Sequence, residues 1–102
     1  RAGANPNGSN GTPTLSAAAL RSPRLVALLI SAGADPNAAD FFGNTPLMTA
    51  AWAGSAESVR LLLEAGARVD ARSRWGATAL SSASAVDVIV LLKQAAQRGV
   101  VR

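Results

Sequence analysis

The apolar positions of residues 45–66 predict a pair of short helices. Leu47, Ala50 and Ala51 are spaced to share one helical face, and residues 59–63 carry the apolar stripe of a second helix. The two small alanines allow a neighbouring helix to come close. Gly54 lies between the two stripes, which indicates that the first helix is only about two turns long.

Helix start and stop signals flank this pair. Thr45 precedes Pro46, so its hydroxyl can cap the first turn, where the missing N–H of proline costs nothing. Gly66 falls where the second helix ends and the backbone must turn left-handed. Residues 68–75 show no helical period and lead to the next threonine cap. The predicted unit is therefore a helix, a turn, a second helix and an irregular connection.

This unit recurs along the chain with a fixed period. Residues 61–67 (LLLEAGA) match residues 28–34 (LLISAGA), and residues 43–47 (GNTPL) match residues 76–80 (GATAL). The interval between the matching segments is the same in both cases. Self-similarity at a period of about 33 residues is typical of stacked repeats, each of which buries its apolar face only against its neighbours.

The order of these landmarks resembles the ankyrin repeat: Gly-x-Thr-Pro-Leu, then Ala-Ala, Gly, Leu-Leu and Gly-Ala. The resemblance is closest over residues 40–71 and extends, less closely, over essentially the whole chain. It implies an all-α solenoid of about three helix–turn–helix repeats with β-turn or hairpin fingers, in which fingers and first helices line a concave face. The expected units are the tail of a truncated upstream repeat (1–7), two repeats (8–39 and 40–72) and a C-terminal capping repeat (73–102).

The outer repeats depart from the central pattern. In the first repeat the interval from Gly11 to Gly43 is one position shorter than the period, so one residue is expected to be missing near Ser22. The threonine and proline of that repeat also leave the cap positions. In the third repeat, residues 91–92 follow residues 61–62 at an interval three positions shorter than the period. This difference predicts an inter-helix loop that is shorter by the same amount.

The chain contains neither cysteine nor histidine. Disulfides, thiol nucleophiles, histidine bases and zinc sites built from these residues are therefore excluded. The histidine that the ankyrin pattern usually places after leucine is replaced by Ser16, Met48 and Ser81. The family's usual side-chain hydrogen bonding at the base of the fingers is less expected for this reason.

The remaining composition argues against an enzyme and against a membrane span. The acidic residues are dispersed, without a pair spaced for acid–base work, and no glycine-rich phosphate loop follows a predicted strand. We therefore expect no catalysis, no cofactor, no metal and no small-molecule substrate. The longest apolar run, residues 25–30, is far shorter than a transmembrane helix. Abundant alanine, with arginine in place of lysine, is typical of a GC-rich, bacterial genome.

Three of the four aromatic residues fall at positions that the resemblance assigns to finger tips. Phe41 and Phe42 stand together before a glycine, and Trp75 follows Phe42 by the repeat period. The fourth, Trp52, lies on a first helix at a place that the family directs toward the groove. Exposed aromatic residues gathered with arginine are typical of interface hot spots. The predicted partner-binding residues are Phe41, Phe42, Asn44, Trp52, Ala53, Arg72, Arg74, Trp75 and Ala77.

Non-catalytic binding of another protein through the concave face is therefore the predicted function. Within the site, the alternative is that a phenylalanine of the finger tip folds back onto the neighbouring finger. For the function, one alternative is docking against another domain of a longer protein. The other is weak binding to an anionic partner through Arg68, Arg72 and Arg74, although the net charge of +4 is modest and Asp70 interrupts this run. No nucleic-acid motif is recognisable, which argues against nucleic acid as the partner.

Overall fold

The computed structural model describes residues 15–100, with side chains as far as residue 97. Six α-helices follow one another in this part of the chain: α1 (Leu15–Arg21), α2 (Pro23–Ser31), α3 (Pro46–Ala53), α4 (Ala56–Glu64), α5 (Ala79–Ser82) and α6 (Val86–Val100). The predicted upstream tail (1–7) and the displaced threonine and proline of the first repeat lie outside the described residues.

The helices form two layers that run across the repeats. α1, α3 and α5 pack side by side in one layer, α2, α4 and α6 form the other, and each first helix also packs on its own second helix. Between the pairs, residues 40–44 and 73–77 form two turns, which we call the fingers. No strand occurs within residues 15–100. The predicted all-α solenoid of three helix pairs is therefore confirmed.

Reciprocal hydrogen bonds fix the starts of α3 and α5. Thr45 Oγ1 accepts from the backbone N–H of Met48 at 3.3 Å, and Met48 Sδ accepts from the N–H of Thr45 at 3.5 Å. Thr78 and Ser81 exchange the corresponding bonds at 3.1 and 2.8 Å. The predicted threonine caps are confirmed. A thioether and a hydroxyl, at positions where the ankyrin pattern has histidine, keep side-chain hydrogen bonding at the base of the fingers.

The connection within the first repeat is one residue short, as predicted. Ser22 alone separates α1 from α2, whereas Gly54 and Ser55 separate α3 from α4. Ser22 is still an effective N-cap, because its hydroxyl accepts from the backbone N–H of Arg24 at 3.1 Å and of Leu25 at 3.4 Å.

The third repeat is shortened in its first helix, so the prediction of a shorter loop was wrong. α5 has four residues where α3 has eight, and the connection of residues 83–85 is one residue longer than Gly54-Ser55. Ser81 Oγ and Ser82 Oγ both donate to the carbonyl oxygen of Thr78, at 3.0 and 2.9 Å. Such bonds from serine side chains to the preceding turn destabilise a helix slightly, which favours its early end.

The loop after this short helix is bound to the neighbouring repeat through Ser84. Ser84 donates from its backbone N–H to the carbonyl oxygen of Ala51 at 3.4 Å, and from its hydroxyl to that of Trp52 at 3.0 Å. The last carbonyl groups of a helix have no donor within the helix itself. The loop of the third repeat therefore caps the end of α3.

Burial follows the stacking of the repeats. Leu47 is 0% exposed, whereas Leu80, at the same position of the next repeat, is 42% exposed, because no further first helix packs on α5 within the described residues. Ala50 and Ala51 are fully buried between α1 and α5, as their small size predicts. The largest fully buried side chains are Val26, Leu47, Val59, Leu62, Val88 and Leu92.

The Asn37 side chain links the irregular segments of two repeats through hydrogen bonds. Its Nδ2 donates to the carbonyl oxygen of Gly66 at 3.1 Å, and its Oδ1 accepts from the backbone N–H of Arg68 at 2.8 Å. Gly66 is left-handed, with φ of 102°, as predicted. The amide therefore joins the end of the first repeat to the end of the second with one donor and one acceptor.

Within the described core, one buried side-chain polar atom has no hydrogen-bond partner: Ser58 Oγ. Ser58 is fully buried on α4, where the matching positions of the other repeats hold Leu25 and Val88. A buried polar group without a partner costs about 1–3 kcal/mol. This serine is therefore a weak point in an otherwise apolar contact.

We expect Leu62→Ala to lower the free energy of unfolding by about 2–5 kcal/mol, because it leaves a cavity at a fully buried position. Leu28→Ala is the matched control, since the same atoms are removed from a side chain that is 60% exposed. Urea denaturation followed by circular dichroism measures both. Equal losses would contradict the buried position of Leu62.

Ser58→Ala should stabilise the domain by about 1 kcal/mol, because it removes a buried hydroxyl that has no partner and introduces a better helix former. The matched control is Ser55→Ala, which removes the N-cap hydroxyl that accepts from Ser58 N–H at 3.3 Å and should cost about 1 kcal/mol. Urea denaturation again gives both values. A Ser58→Ala variant less stable than the wild-type chain would contradict an unpaired hydroxyl.

Candidate functional site

An aspartate closes the first finger. Asp40 Oδ1 accepts from the backbone N–H of Phe42 at 2.8 Å and of Asn44 at 2.9 Å. The backbone N–H of Asp40 in turn donates to the carbonyl oxygen of Asn44 at 3.0 Å. Aspartate commonly stabilises turns in this way. The turn is held from its inside, so the side chains of Phe41 and Phe42 remain at its outer end.

A serine has the same role in the second finger. Ser73 Oγ accepts from the backbone N–H of Trp75 and of Ala77, both at 3.2 Å, and the N–H of Ser73 donates to the carbonyl oxygen of Ala77 at 2.9 Å. Ser73 stands one repeat period after the aspartate of the first finger. Arg74 and Trp75 therefore leave the second finger at the places from which the two phenylalanines leave the first.

The two fingers touch through their backbones. The N–H of Arg74 donates to the carbonyl oxygen of Phe42 at 2.9 Å. Gly43 makes this approach possible: its φ is +81°, and a Cβ atom there would lie 3.2 Å from both Arg74 N and Ser73 Cα. A side chain at this position would be strained and would push the second finger away.

The finger tips carry three aromatic rings and one arginine that contact one another. We call this set the aromatic cluster: Phe41, Phe42, Arg74 and Trp75. Phe42 stacks on Trp75 with ring centroids 5.3 Å apart and planes 29° apart. Phe41 meets Phe42 edge-on, at 5.4 Å and 82°. The guanidinium carbon of Arg74 lies 4.6 Å from the centre of the Phe41 ring. Each of these geometries is favourable by about 0.5–1.5 kcal/mol.

The aromatic cluster remains open to solvent. Phe42, which packs on the neighbouring finger as the alternative foresaw for one phenylalanine, is still 45% exposed. Phe41 and Trp75 are 75% and 72% exposed. The contacts between the rings therefore orient the cluster without covering it.

A shallow groove adjoins the cluster, between the first helices and the first finger. Its volume is about 280 Å³, and it is lined by Leu20, Asn44, Met48, Thr49, Trp52 and Ser82. Trp52 is 67% exposed, and the bond from Ser84 to its carbonyl oxygen holds the end of α3 in place. Asn44 belongs both to the finger and to the groove. We call the aromatic cluster and the groove together the finger face.

The structure brings together some of the predicted partner-binding residues and separates others. Asn44 and Trp52 line the groove, whereas Ala53, Arg72 and Ala77 are not among its lining residues. Ala53 is exposed at the end of α3, Arg72 is exposed before the second finger, and Ala77 is half-buried in that finger.

Sequence reasoning missed four lining residues of the groove: Leu20, Met48, Thr49 and Ser82. For Leu20 a signal was present. It precedes Trp52 by the same interval that relates the first repeat to the second, so the two residues take equivalent places on successive first helices. Whether the other three residues line the groove depends on its depth, which the repeat pattern does not specify.

Two of the three arginines in and just before the second finger have no acidic partner within the part of the chain that the structure describes. Among the described residues, the ion pair within 4 Å joins Arg68 Nε to Asp70 Oδ1 at 3.8 Å, and both side chains are exposed. Arg72 and Arg74 therefore have no carboxylate within that distance in the described part of the chain. No group of three or more aspartates and glutamates within residues 15–97 is placed to hold a metal ion.

A comparison with known families agrees with this architecture. A family model described as ankyrin repeats, in three copies, matches residues 14–99. The chain belongs to the ankyrin-repeat family. Ankyrin repeats are generally protein–protein interaction modules and generally non-catalytic. None of the curated proteins compared with the chain matches it.

The length and hydrophobicity of the helices bear on whether they could span a membrane. Within the described residues of this ankyrin-repeat chain, no helix combines the length and the apolar character needed to cross a bilayer.

The closeness of the fingers generates a prediction for glycine variants. Gly43→Ala should cost clearly more stability than Gly76→Ala, by about 1 kcal/mol or more, although both glycines are left-handed at φ of 81° and 79°. A Cβ atom at Gly76 meets nothing within 4 Å, whereas one at Gly43 meets the backbone of the second finger. Urea denaturation gives the two losses, and hydrogen exchange of the Arg74 amide reports its bond to Phe42. Equal losses with unchanged exchange would contradict the close contact.

Proposed function

We propose that this ankyrin-repeat domain binds another protein through the finger face, without catalysis, cofactor or metal. The observation that carries the proposal is the exposure of three packed aromatic rings beside a groove that holds a fourth aromatic residue. Contiguous apolar patches with polar edges mark interaction sites on folded proteins, whereas scattered apolar residues do not.

The aromatic cluster is ordered before a partner arrives. Phe42 is packed between Phe41 and Trp75, and Arg74 N–H holds the second finger against the first. Ordering a side chain on binding costs about 0.5–1.5 kcal/mol. Because packed rings have already lost part of that freedom, they are suited to serve as anchors of an interface.

The remaining predicted residues form the edge of the proposed interface. Arg72 and the Asn44 amide supply polar groups there, as is usual for the rim of an interface. The small side chains of Ala53 and Ala77 leave room for an approaching partner. We assign to these four residues a role in shape and orientation, and the main contribution to affinity to the rings.

The second-helix layer presents a different surface. Leu28, Val86 and Val90 are exposed there, yet they are aliphatic and lie on helices of the outer repeats. They make no ring contact and line no part of the groove. These three side chains offer a matched control for the contribution of exposed apolar surface as such.

The test of the proposal is capture of a partner that depends on the rings. The wild-type chain should retain a defined protein from a lysate of the source organism, and the Phe41→Ala, Phe42→Ala, Trp75→Ala variant should lose it. The control variant Leu28→Ala, Val86→Ala, Val90→Ala should retain it. Circular dichroism establishes that both variants are folded, and titration of the purified partner then gives the change in affinity.

Capture that survives in the ring variant would overturn the finger face as the binding site. Capture lost in both variants would indicate adhesion through exposed apolar surface of any kind, and would also overturn it. If the isolated domain captures nothing but aggregates, whereas a longer chain containing it does not, the finger face docks within its own protein.

A further inference from the structure

The finger face carries positive charge as well as apolar surface. Arg74, in the aromatic cluster, and Arg72, two residues before it, are exposed without a carboxylate within 4 Å in the described residues, and Arg21 is exposed next to Leu20 at the end of α1. The acidic residue of the first finger, Asp40, has one carboxylate oxygen bound by two backbone N–H groups of its own turn. Glu57, Glu64 and Asp87 lie on the second helices, and exposed Asp70 is paired with Arg68 at 3.8 Å.

Arg74 is placed to receive a carboxylate. Its guanidinium carbon lies over the Phe41 ring, 4.6 Å from the ring centre. The N–H groups of a guanidinium form a planar fork that matches the two oxygens of a carboxylate, and Arg74 has no carboxylate within 4 Å in the described residues. The ring contact also restricts the long arginine side chain, which lowers the entropic cost of such a bond.

The groove is suited to one apolar side chain. Its volume of about 280 Å³ is at the lower end of the range of ligand sites and is enough for one side chain. Leu20, Met48 and Trp52 supply apolar walls. The hydroxyls of Thr49 and Ser82 donate to the carbonyl oxygens of the residues that cap their helices, at 3.4 and 2.9 Å, so their hydrogens are already used.

The Asn44 side chain lies between the groove and the aromatic cluster. Its backbone is bonded to Asp40, but its amide group makes no hydrogen bond within the described part of the chain. An amide offers one acceptor and two donors. This is the combination that can pair with the N–H and C=O of an extended peptide lying across it.

We propose that the partner presents an extended acidic segment, with one aliphatic side chain for the groove and carboxylates for Arg74 and Arg72. This inference rests on the proposed function and names the chemistry of the partner. The aromatic rings cover the middle of the segment, and Asn44 pairs with its backbone. A single-stranded nucleic acid is the less suitable ligand, because binding it needs a basic groove that follows the phosphate backbone, whereas Arg74 is the one basic residue of the aromatic cluster.

The first experiment is selection from a library of random peptides of about 12 residues, which reach about 40 Å when extended, the longest dimension of the domain. The wild-type chain should enrich sequences that combine aspartate or glutamate with leucine, isoleucine or valine. The ring variant Phe41→Ala, Phe42→Ala, Trp75→Ala should enrich none of them.

The second experiment measures the affinity of a selected peptide by fluorescence polarisation. Arg74→Gln should weaken binding about fivefold to tenfold at low salt, and the loss should shrink as NaCl is raised from about 0.05 to about 0.5 M. Arg60→Gln is the matched control: it removes the same charge from the second-helix layer and should change affinity less than about twofold. Arg74→Lys, which keeps the charge without the planar fork, should fall between Arg74→Gln and the wild-type chain.

A double-mutant cycle separates direct contact from the general field. Replacing the acidic residue of the peptide by its amide should weaken binding to the wild-type chain, and have little further effect on Arg74→Gln. Trp52→Ala should remove the preference for an aliphatic residue while leaving the preference for acidic residues. Absence of coupling between Arg74 and the peptide carboxylate would overturn the assignment of that contact.

The outcomes also separate this inference from the proposed function. Selection of neutral or basic peptides that are lost in the ring variant would overturn the acidic partner and leave binding through the finger face intact. If the ring variant selected the same peptides as the wild-type chain, both the acidic partner and binding through the finger face would be overturned. Absence of any selected peptide would exclude a linear segment. A mixed-sequence single-stranded oligonucleotide that binds as tightly as the peptide, with a steeper salt dependence, would replace the acidic segment as ligand.

Discussion

The structure depends on one constraint: a repeat of this chain cannot bury its apolar side chains without a neighbour. Leu47 is completely covered because α3 has a first helix on each side, whereas Leu80 at the same position of the last repeat is half open. Only small side chains, Ala50 and Ala51, allow the first helices to come this close. The layers, the register between repeats and the position of the fingers all follow from that packing.

The finger face is a product of the same stacking. Phe42 and Trp75 are far apart in the chain, and their rings meet at 5.3 Å because successive repeats place equivalent residues side by side. The bond from Arg74 N–H to the Phe42 carbonyl and the absence of a side chain at Gly43 set this distance. Interactions at the fingers therefore depend on the packing of the repeats beneath them.

Much of this arrangement could be predicted from the sequence, because threonine caps, glycines and apolar spacing are local signals with a fixed meaning. The fold and the single-residue connection at Ser22 follow from them, and the resemblance to the ankyrin repeat implies that the rings stand at the finger tips. The early end of α5 does not follow from them, since the shorter interval between repeats does not tell a shorter helix from a shorter loop, and the serine bonds to Thr78 that favour the early end are not visible in that interval. The stacking of the rings and the depth of the groove also depend on side-chain torsions and contacts between repeats, about which the repeat period holds no information.

The two tryptophans of the chain have an optical consequence. Trp52 and Trp75 both lie on the finger face and both are largely exposed in the folded domain, and the chain has no other tryptophan. Indole emission shifts to shorter wavelength when water leaves its surroundings. Unfolding changes the surroundings of these two rings little, whereas a molecule that settled over them would change both. The intrinsic fluorescence of this domain is thus a poor reporter of its unfolding and a sensitive reporter of binding at the finger face.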